Sequence, residues 1–397
     1  MKILFFLHSF EIGGAERRCA TIANHFVKRG DDVIAVLLDS PRILFPIDPR
    51  VKIIYLPYGN SSGIELSSVE KPSFSSSDTD RAEKQNSFLN EELLKNRSNQ
   101  YTNEDLYKLI CFYSERIRTF LKNFPDYLVV SWVSLYSISC AIALTSLPNR
   151  FIFVECNAPD AEFPRDHLFN QLKRQYYPRA TAAIFQTENE SGFYDYLTIK
   201  KHVIPNPVAT LNIDRYVGIR KKAVVSFCRI KKAKRLPLLI EAFALFYKEF
   251  PDYKLHIFGD GPEREVLTSY IKKRDLNEAV LLFDFDTAVH KKVFDCAMFV
   301  SSSIYEGMSN SMIEAMAIGL PTICTDCYGG GARSIIHDGE NGLLVPVEDP
   351  MALAEAMKKI ASSTTLSERL SENAIKVNKL LSKEKILSAW EKVFDNL

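Results

Sequence analysis

Short, continuously apolar runs alternate with longer stretches of helical periodicity along almost the whole chain, and this alternation leaves few folds open. A strand that is apolar at every position must be covered on both faces. That requires a mostly parallel sheet with helices packed above and below it. Strands are predicted at 2–7, 32–38, 51–56, 127–131, 151–155, 182–186 and 202–204, with helices at 14–29, 105–123, 134–146, 167–177 and 189–197. The pattern then begins again. Strands are expected near 223–228, 253–258, 279–283, 297–301, 321–325 and 343–346, and helices at 235–250, 262–273, 287–294, 311–318, 350–361, 366–380 and 384–394. The expected fold class is α/β, with two doubly wound, Rossmann-like domains facing across a cleft. A length of 397 residues suits two domains of roughly 100–200 residues each. The break falls at Ile204-Pro205-Asn206-Pro207, where two prolines stop a strand and favour a turn. The expected division is therefore 1–207, 208–383 and a terminal helix over 384–397.

Residues 59–104 do not follow the alternation. They are rich in Ser, Asn, Glu and Lys, and Ser73-Phe74-Ser75-Ser76-Ser77-Asp78 has too little apolar surface to offset its ordering entropy. A flexible insertion is expected here, with one amphipathic helical piece near 82–95.

Fifty basic residues against forty-nine acidic ones leave a net charge of +1, which gives no general attraction to nucleic acid. Any phosphate site must be local. The eight cysteines fall mainly in apolar runs, as buried thiols of a cytosolic protein do, and Cys324-Thr325-Asp326-Cys327 has no second pair to complete a zinc site. The apolar start, Met1 to Leu7, is too short for a signal h-region and reads as a first buried strand. No run approaches the ~18 apolar residues that span a bilayer, so a soluble or peripheral protein is expected. Helix 105–123 mixes Leu109, Ile110, Phe112 and Phe120 with Lys108, Arg116, Arg118 and Lys122. It reads either as a core helix with a basic outer face or as one lying on a membrane leaflet.

Several residues carry chemistry. Arg229 and Lys234, five positions apart, follow the strand 223–228, where a doubly wound sheet faces its ligand. They suit a diphosphate, or form a solvated basic turn with Lys231, Lys232 and Arg235. A Ser/Gly-rich loop with Glu306 leads into a short helix near Ser309, Asn310 and Ser311, whose start offers backbone N–H groups to an anion. Ser309 or Asn310 is the candidate cap. Glu314 either reaches the ligand or completes a capping box with Ser311. Gly13-Gly14 follows the first strand without the G-x-G-x-x-G of a dinucleotide site. Gly259-Asp260-Gly261-Pro262 is either a ligand loop or a tight turn into a helix. Asp284-Phe285-Asp286 reads as a loop rather than a metal site.

Taken in order, Gly13-Gly14-Ala15-Glu16, Arg229-x4-Lys234, Gly259-Asp260-Gly261-Pro262, the E-x7-E from Glu306 to Glu314, and Asn341-Gly342-Leu343 resemble family 4 glycosyltransferases of the GT-B fold. Ser131-Trp132-Val133-Ser134, Glu155-Cys156-Asn157, Gln186-Thr187-Glu188 and Ile204-Pro205-Asn206-Pro207 are similar to segments of enzymes that build bacterial polysaccharides and lipid-linked oligosaccharides. The resemblance implies a retaining hexosyltransferase. Its donor is a nucleotide-diphosphate sugar, with UDP expected, and its acceptor a saccharide, free or linked to polyprenyl diphosphate. It implies no protein-bound metal and no other cofactor. The N-terminal domain would bind the acceptor, the second domain the nucleotide sugar, and the last helix, with Trp390, would cross back to the first domain. Arg229 and Lys234 would hold the diphosphate together with amides near Ser309, Asn310 and Ser311. Glu314 would bind the ribose, Glu306 would face the donor sugar, and Gly13 and Gly14 would admit ligand to the backbone.

The family's N-domain histidine is absent from Ser131–Ser134, so Glu155 and Asn157 are expected to line the sugar site instead. Cytoplasmic placement is expected, with the inner face of the membrane open as a docking surface. The alternatives are a non-catalytic nucleotide-sugar-binding subunit and a sugar-nucleotide epimerase of the same fold.

Overall fold

The computed structural model of the chain describes residues 1–11, 13–56, 64–66, 102–156 and 167–397. The chain divides into two compact units. Unit 1 comprises Met1–Phe185, Ser191–Ile204 and Leu387–Leu397; unit 2 comprises Gln186–Glu190 and Pro205–Ile386.

Among its described residues unit 1 has eight strands: β1 (Lys2–Leu7), β2 (Asp32–Leu37), β3 (Lys52–Tyr55), β4 (Ile64–Leu66), β5 (Leu128–Trp132), β6 (Phe151–Val154), β7 (Ala182–Phe185) and β8 (Lys200–Val203). Their order in the sheet is β4-β3-β2-β1-β5-β6-β7-β8. Every pairing is parallel except β3 with β4. The strand β4 interrupts the stretch read as an insertion; the rest of 59–101, with the helical piece near 82–95, lies outside the described residues. Among the described residues the helices that accompany the sheet are α1 (Gly14–Arg29), α2 (Asn103–Leu121), α3 (Ser134–Ala143) and α4 (Leu168–Tyr176). Helix α1 stops at Gly30, whose φ of 100° is the left-handed turn that ends helices. Helix α2 starts on a capping box between Thr102 and Asp105.

The two readings of α2 are separated by burial. Leu106, Ile110, Tyr113, Ile117 and Phe120 are all buried in the core shared with β1, β5 and α3. Lys108 pairs with Glu104, Arg118 with Glu115, and Arg116 is itself buried on the Leu56 carbonyl. The apolar side that a leaflet would need is committed to the core. No described helix is long and apolar enough to cross a membrane.

In unit 2 the strands are β9 (Lys221–Phe227), β10 (Lys254–Phe258), β11 (Val280–Phe283), β12 (Cys296–Ser301), β13 (Thr322–Thr325) and β14 (Leu343–Val345). They form an all-parallel sheet in the order β11-β10-β9-β12-β13-β14. The order reverses between β9 and β12, which makes the crevice beyond their C-terminal ends the ligand position of such a sheet.

A short helix α5 (Glu188–Gly192) precedes this sheet in sequence. It is shorter than the expected 189–197, because the chain turns after Gly192 to bury Tyr194. The helices of unit 2 are α6 (Leu236–Tyr247), α7 (Arg264–Lys273), α8 (Val289–Val293), α9 (Asn310–Ala317), α10 (Pro350–Ser362), α11 (Thr364–Ala374) and α12 (Val377–Leu380). The single helix expected over 366–380 is thus two.

The division between units falls at Ile204/Pro205, slightly before 207/208, and Gln186–Glu190 goes with unit 2. Hydrogen bonds explain this: Gln186 Nε2 donates to Asn206 Oδ1 at 2.8 Å and Thr187 Oγ1 to the Gly329 carbonyl at 2.7 Å.

The last helix, α13 (Lys383–Asp395), joins unit 1 from Leu387 onward. Trp390 is fully buried there. Its ring stacks on Trp132 at 5.9 Å, while the Arg18 guanidinium lies 5.2 Å from it, and Phe394 stacks on Phe26 at 4.6 Å.

Candidate functional site

At the switch point of unit 2, the turn after β9 carries the two sequence-predicted cations. Its shape is set by glycines on the neighbouring loop. Gly259 and Gly261 have φ of 146° and 154°, and a Cβ would lie 1.9 Å from the Cys228 carbonyl oxygen and 2.3 Å from that of Ile230. The Ile230 N–H donates to the Asp260 carbonyl at 2.8 Å. The Gly-Asp-Gly-Pro segment therefore works as a close backbone cradle for the turn bearing Arg229. Arg229 itself is exposed.

Lys234 ends a short 3-10 turn, and its side chain is turned inward, 12% exposed. The backbone on either side is anchored to the loop after β12: Ile304 N–H donates to the Ala233 carbonyl at 2.9 Å, and Ser302 Oγ to that of Lys234 at 2.7 Å. The Lys234 ammonium donates to Glu306 Oε1, which also accepts from Ser303 Oγ at 2.9 Å. Burial pushes the Glu306 carboxyl up, but Lys234, with lesser help from Lys231 and Ser303, holds it below the ordinary glutamate value. Burial likewise opposes the charge on Lys234, and Glu306 outweighs it, so the ammonium titrates above the ordinary lysine value. Both partners are charged at neutral pH. A small cavity opens beside the pair, lined by Ser226, Cys228, Lys234, Ser303, Ser309 and Ser311 among others.

Helix α9 points its N-terminus into this region. Its cap is Ser309, whose Oγ accepts from Met312 N–H at 3.4 Å. Asn310 opens the helix, and its Oδ1 accepts from Asn206 Nδ2 at 2.9 Å. Glu314 does not complete a capping box with Ser311. It sits a turn deeper, buried, with Oε2 2.9 Å from Nε2 of His290 on α8.

Within unit 2 the fold thus brings Lys234, Ser309 and Ser311 together around one cavity, with Glu306 paired to Lys234 beside it, Arg229 on the exposed part of the same turn and Glu314 buried on α9. His290, Ser303 and Asn206 were not anticipated as site residues. Asn206 lay in a quoted motif, whereas nothing in spacing announces His290.

Gly13, Gly14 and Glu155 belong to unit 1. Gly13 caps α1, and a Cβ there would lie 2.0 Å from Glu16 Oε2; the Glu16 carboxylate folds back over it to His8 Nε2 at 2.8 Å. Gly14 is exposed at the first position of α1.

Glu155 departs from its expected role. It is 2% exposed, with Oε1 3.3 Å from the Lys173 ammonium and accepting from Tyr177 Oη at 2.9 Å. Lys173 is also buried and donates to Tyr194 Oη at 3.0 Å. Glu155 is half of an interior ion pair beneath α4, not a surface offered to a sugar. Asn157 lies outside the described residues. Asp284 and Asp286, the D-x-D-like letters, pair with Arg264 and Lys292.

Residues 217–377 match the family model described as glycosyl transferases group 1. This segment belongs to that family. The group 1 domain covers the sheet of unit 2 with both the Lys234 turn and the Glu306 loop.

Among curated proteins, the chain is 29% identical over 251 residues to N-acetylgalactosamine-N,N'-diacetylbacillosaminyl-diphospho-undecaprenol 4-alpha-N-acetylgalactosaminyltransferase of Campylobacter jejuni, covering 60% of this chain and 67% of that protein. It is 30% identical over 203 residues to poly(glycerol-phosphate) alpha-glucosyltransferase of Bacillus subtilis, covering 51% of this chain and 29% of that protein. The chain therefore spans about two thirds of the first relative and under a third of the second. A crystal structure of Staphylococcus aureus TarM, in complex with fondaparinux, alpha-GlcNAc-glycerol and UDP, superposes with a TM-score of 0.72 at 16% identity, covering 99% of this chain and all of that one. That likeness is one of fold, and the group 1 domain sits in a GT-B architecture of two doubly wound α/β units.

Proposed function

We propose that the chain is a retaining, family 4 glycosyltransferase that moves a hexose or N-acetylhexosamine from a UDP-sugar to a hydroxyl of a saccharide acceptor, free or carried on polyprenyl diphosphate, in the synthesis of a bacterial surface glycan. The observation that carries this is the half-buried Lys234–Glu306 pair at the switch point of unit 2, beside the N-terminus of α9. An ammonium has three donors, and Glu306 occupies one direction of it. The rest of Lys234, with Arg229 and the amides of Ser309, Asn310 and Ser311, is available to a diphosphate. Each charge-assisted bond of this kind contributes roughly 1.5–3 kcal/mol.

On this reading the cations stabilise the departing nucleotide diphosphate. The bond from the sugar's anomeric carbon to the diphosphate oxygen breaks, and its electron pair leaves with UDP. The acceptor oxygen bonds to the same face of that carbon, and its proton passes to a phosphate oxygen. Glu306 faces the donor sugar and Glu314 the ribose hydroxyls. Gly13 and Gly14, in unit 1, would let ligand approach the backbone there. The names of the relatives support a bacterial glycan and, for the Campylobacter protein, a diphospho-undecaprenol acceptor. The UDP in the TarM complex supports that nucleotide. A lipid-linked acceptor would place the reaction at the inner face of the cytoplasmic membrane.

The test is thermal unfolding against a panel of UDP- and GDP-sugars. A ligand of the native state raises the melting temperature. Protection by UDP-sugars is expected; protection by none of the panel would remove the donor assignment.

A further inference from the structure

Two segments, Gln186-Thr187-Glu188 and Pro205-Asn206-Pro207, stand out in the sequence yet take no part in the reaction above. They are also where the chain passes between units: Phe185 and Ile204 belong to unit 1, Gln186 and Pro205 to unit 2. Asn206 is 2% exposed and spends its whole amide inside unit 2. Its Oδ1 accepts from Gln186 Nε2 at 2.8 Å, and its Nδ2 donates to Asn310 Oδ1 at 2.9 Å and to the Met308 carbonyl at 3.3 Å. Its backbone N–H meets Met308 Sδ at 3.3 Å. Met308, in the loop after Glu306, and Asn310, the first residue of α9, are thus both tied to one side chain.

The opposite side of this loop is held from the other crossing. Thr187, also buried, donates from Oγ1 to the Gly329 carbonyl at 2.7 Å. Two residues on, Gly331 packs so closely that a Cβ there would lie 1.9 Å from the Gly307 oxygen. Glu306 N–H donates to the Tyr328 carbonyl at 3.0 Å on the same strip. A loop that must offer amides to a diphosphate loses affinity if it has to be ordered at the moment of binding. Here the ordering is done in advance, by residues at the two crossings.

We propose that Asn206 is a positioning residue that preorganises the Gly307–Asn310 loop for the diphosphate of the nucleotide donor, with Gln186 holding its amide in register. The proposal rests on the nucleotide-sugar reading of this site. Asn206 touches no reacting atom; it acts through the loop.

The experiment is calorimetric titration of UDP into the full chain and into Asn206→Ala, Gln186→Ala and the double variant, each well below its own melting temperature. Asn206→Ala is expected to weaken UDP binding about tenfold, the loss typical of one buried hydrogen-bonding group. Gln186→Ala should shift it in the same direction by less. The double variant should be no weaker than Asn206→Ala alone, because Gln186 acts through Asn206. A lowered melting temperature with unchanged UDP affinity in the single variants overturns the proposal and leaves a packing role. If Asn206→Ala does not fold, Gln186→Ala decides alone. Failure of the unaltered chain to bind UDP removes the donor reading itself, and the proposal falls with it.

Discussion

His290 Nε2 and Glu314 Oε2 stand 2.9 Å apart, with side chains only 11% and 9% exposed. The Phe227 ring packs edge-on against the imidazole at 5.5 Å, so both the distance and the orientation are fixed by the core. His290 thereby sets the way the Glu314 carboxylate faces. If Glu314 binds ribose, it does so equally in ground and transition states. His290→Ala should then raise the donor KM about tenfold with kcat within about twofold, and His290→Gln, which keeps a donor, should recover most of it. Steady-state kinetics over donor concentration check this. A loss confined to kcat contradicts it.

The Lys234–Glu306 pair carries a pH signature with a definite sign. The Glu306 carboxyl is depressed in the fold, so its stabilisation is present above its unfolded value of 4.5 and is lost as pH falls through the lower folded value. Lys234 is raised, so its share is present below 10.5 and is lost only as pH rises through the higher folded value. Across neutral pH the pair is intact. Melting temperatures between pH 3 and 7 should therefore fall less steeply on acidification in Glu306→Gln than in the unaltered chain. Parallel profiles would show that the pair contributes no acid sensitivity.

Gly261→Ala tests the cradle under Arg229. The new Cβ would meet the Ile230 oxygen, and the φ of 154° disfavours any side chain. A stability loss of about 1–3 kcal/mol is expected, together with slower transfer, since the displaced turn carries both cations. Chemical denaturation and a transfer assay on the same preparation measure the two. Lost stability with unchanged transfer would separate the cradle from the site.

Glu155→Ala strands the Lys173 ammonium in the interior of unit 1. Breaking a buried pair from one side costs about 3–5 kcal/mol, whereas replacing both partners by apolar residues is often neutral. Glu155→Ala should thus be far less stable than Glu155→Leu combined with Lys173→Met. A fully stable Glu155→Ala would contradict the interior placement. Trp390→Ala, which removes a ring stacked on Trp132 and met edge-on by Phe394, should cost about 3–5 kcal/mol by the same denaturation measurement.

The strands were readable because burial on both faces leaves them apolar at every position, as in Phe5-Phe6-Leu7 or Val224-Val225. Ile64–Leu66 was not, since a three-residue antiparallel edge strand inside a polar stretch has no such signature. The site was legible where chemistry is local: Lys234, Glu306 and the Ser309 cap lie in loops of unusual composition. It was illegible where tertiary packing assigns the partner. Glu155-Cys156-Asn157 looks like a strand-end turn offering a carboxylate, and nothing nearby shows that Lys173 lies beneath it. His290 is another such case, one histidine in a lysine-rich turn until α9 lays Glu314 against it.

The account is tested most directly by UDP release from UDP-hexoses and UDP-N-acetylhexosamines in the presence of a polyprenyl-diphosphate saccharide, comparing the unaltered chain with Arg229→Ala and Lys234→Ala. The unaltered chain should release UDP and extend the acceptor with retained anomeric configuration. Each variant, still folded, should be slower by about 100-fold or more, the scale of losing a charge-stabilising donor. Near-normal turnover in either folded variant would contradict the assignment of the diphosphate to this turn.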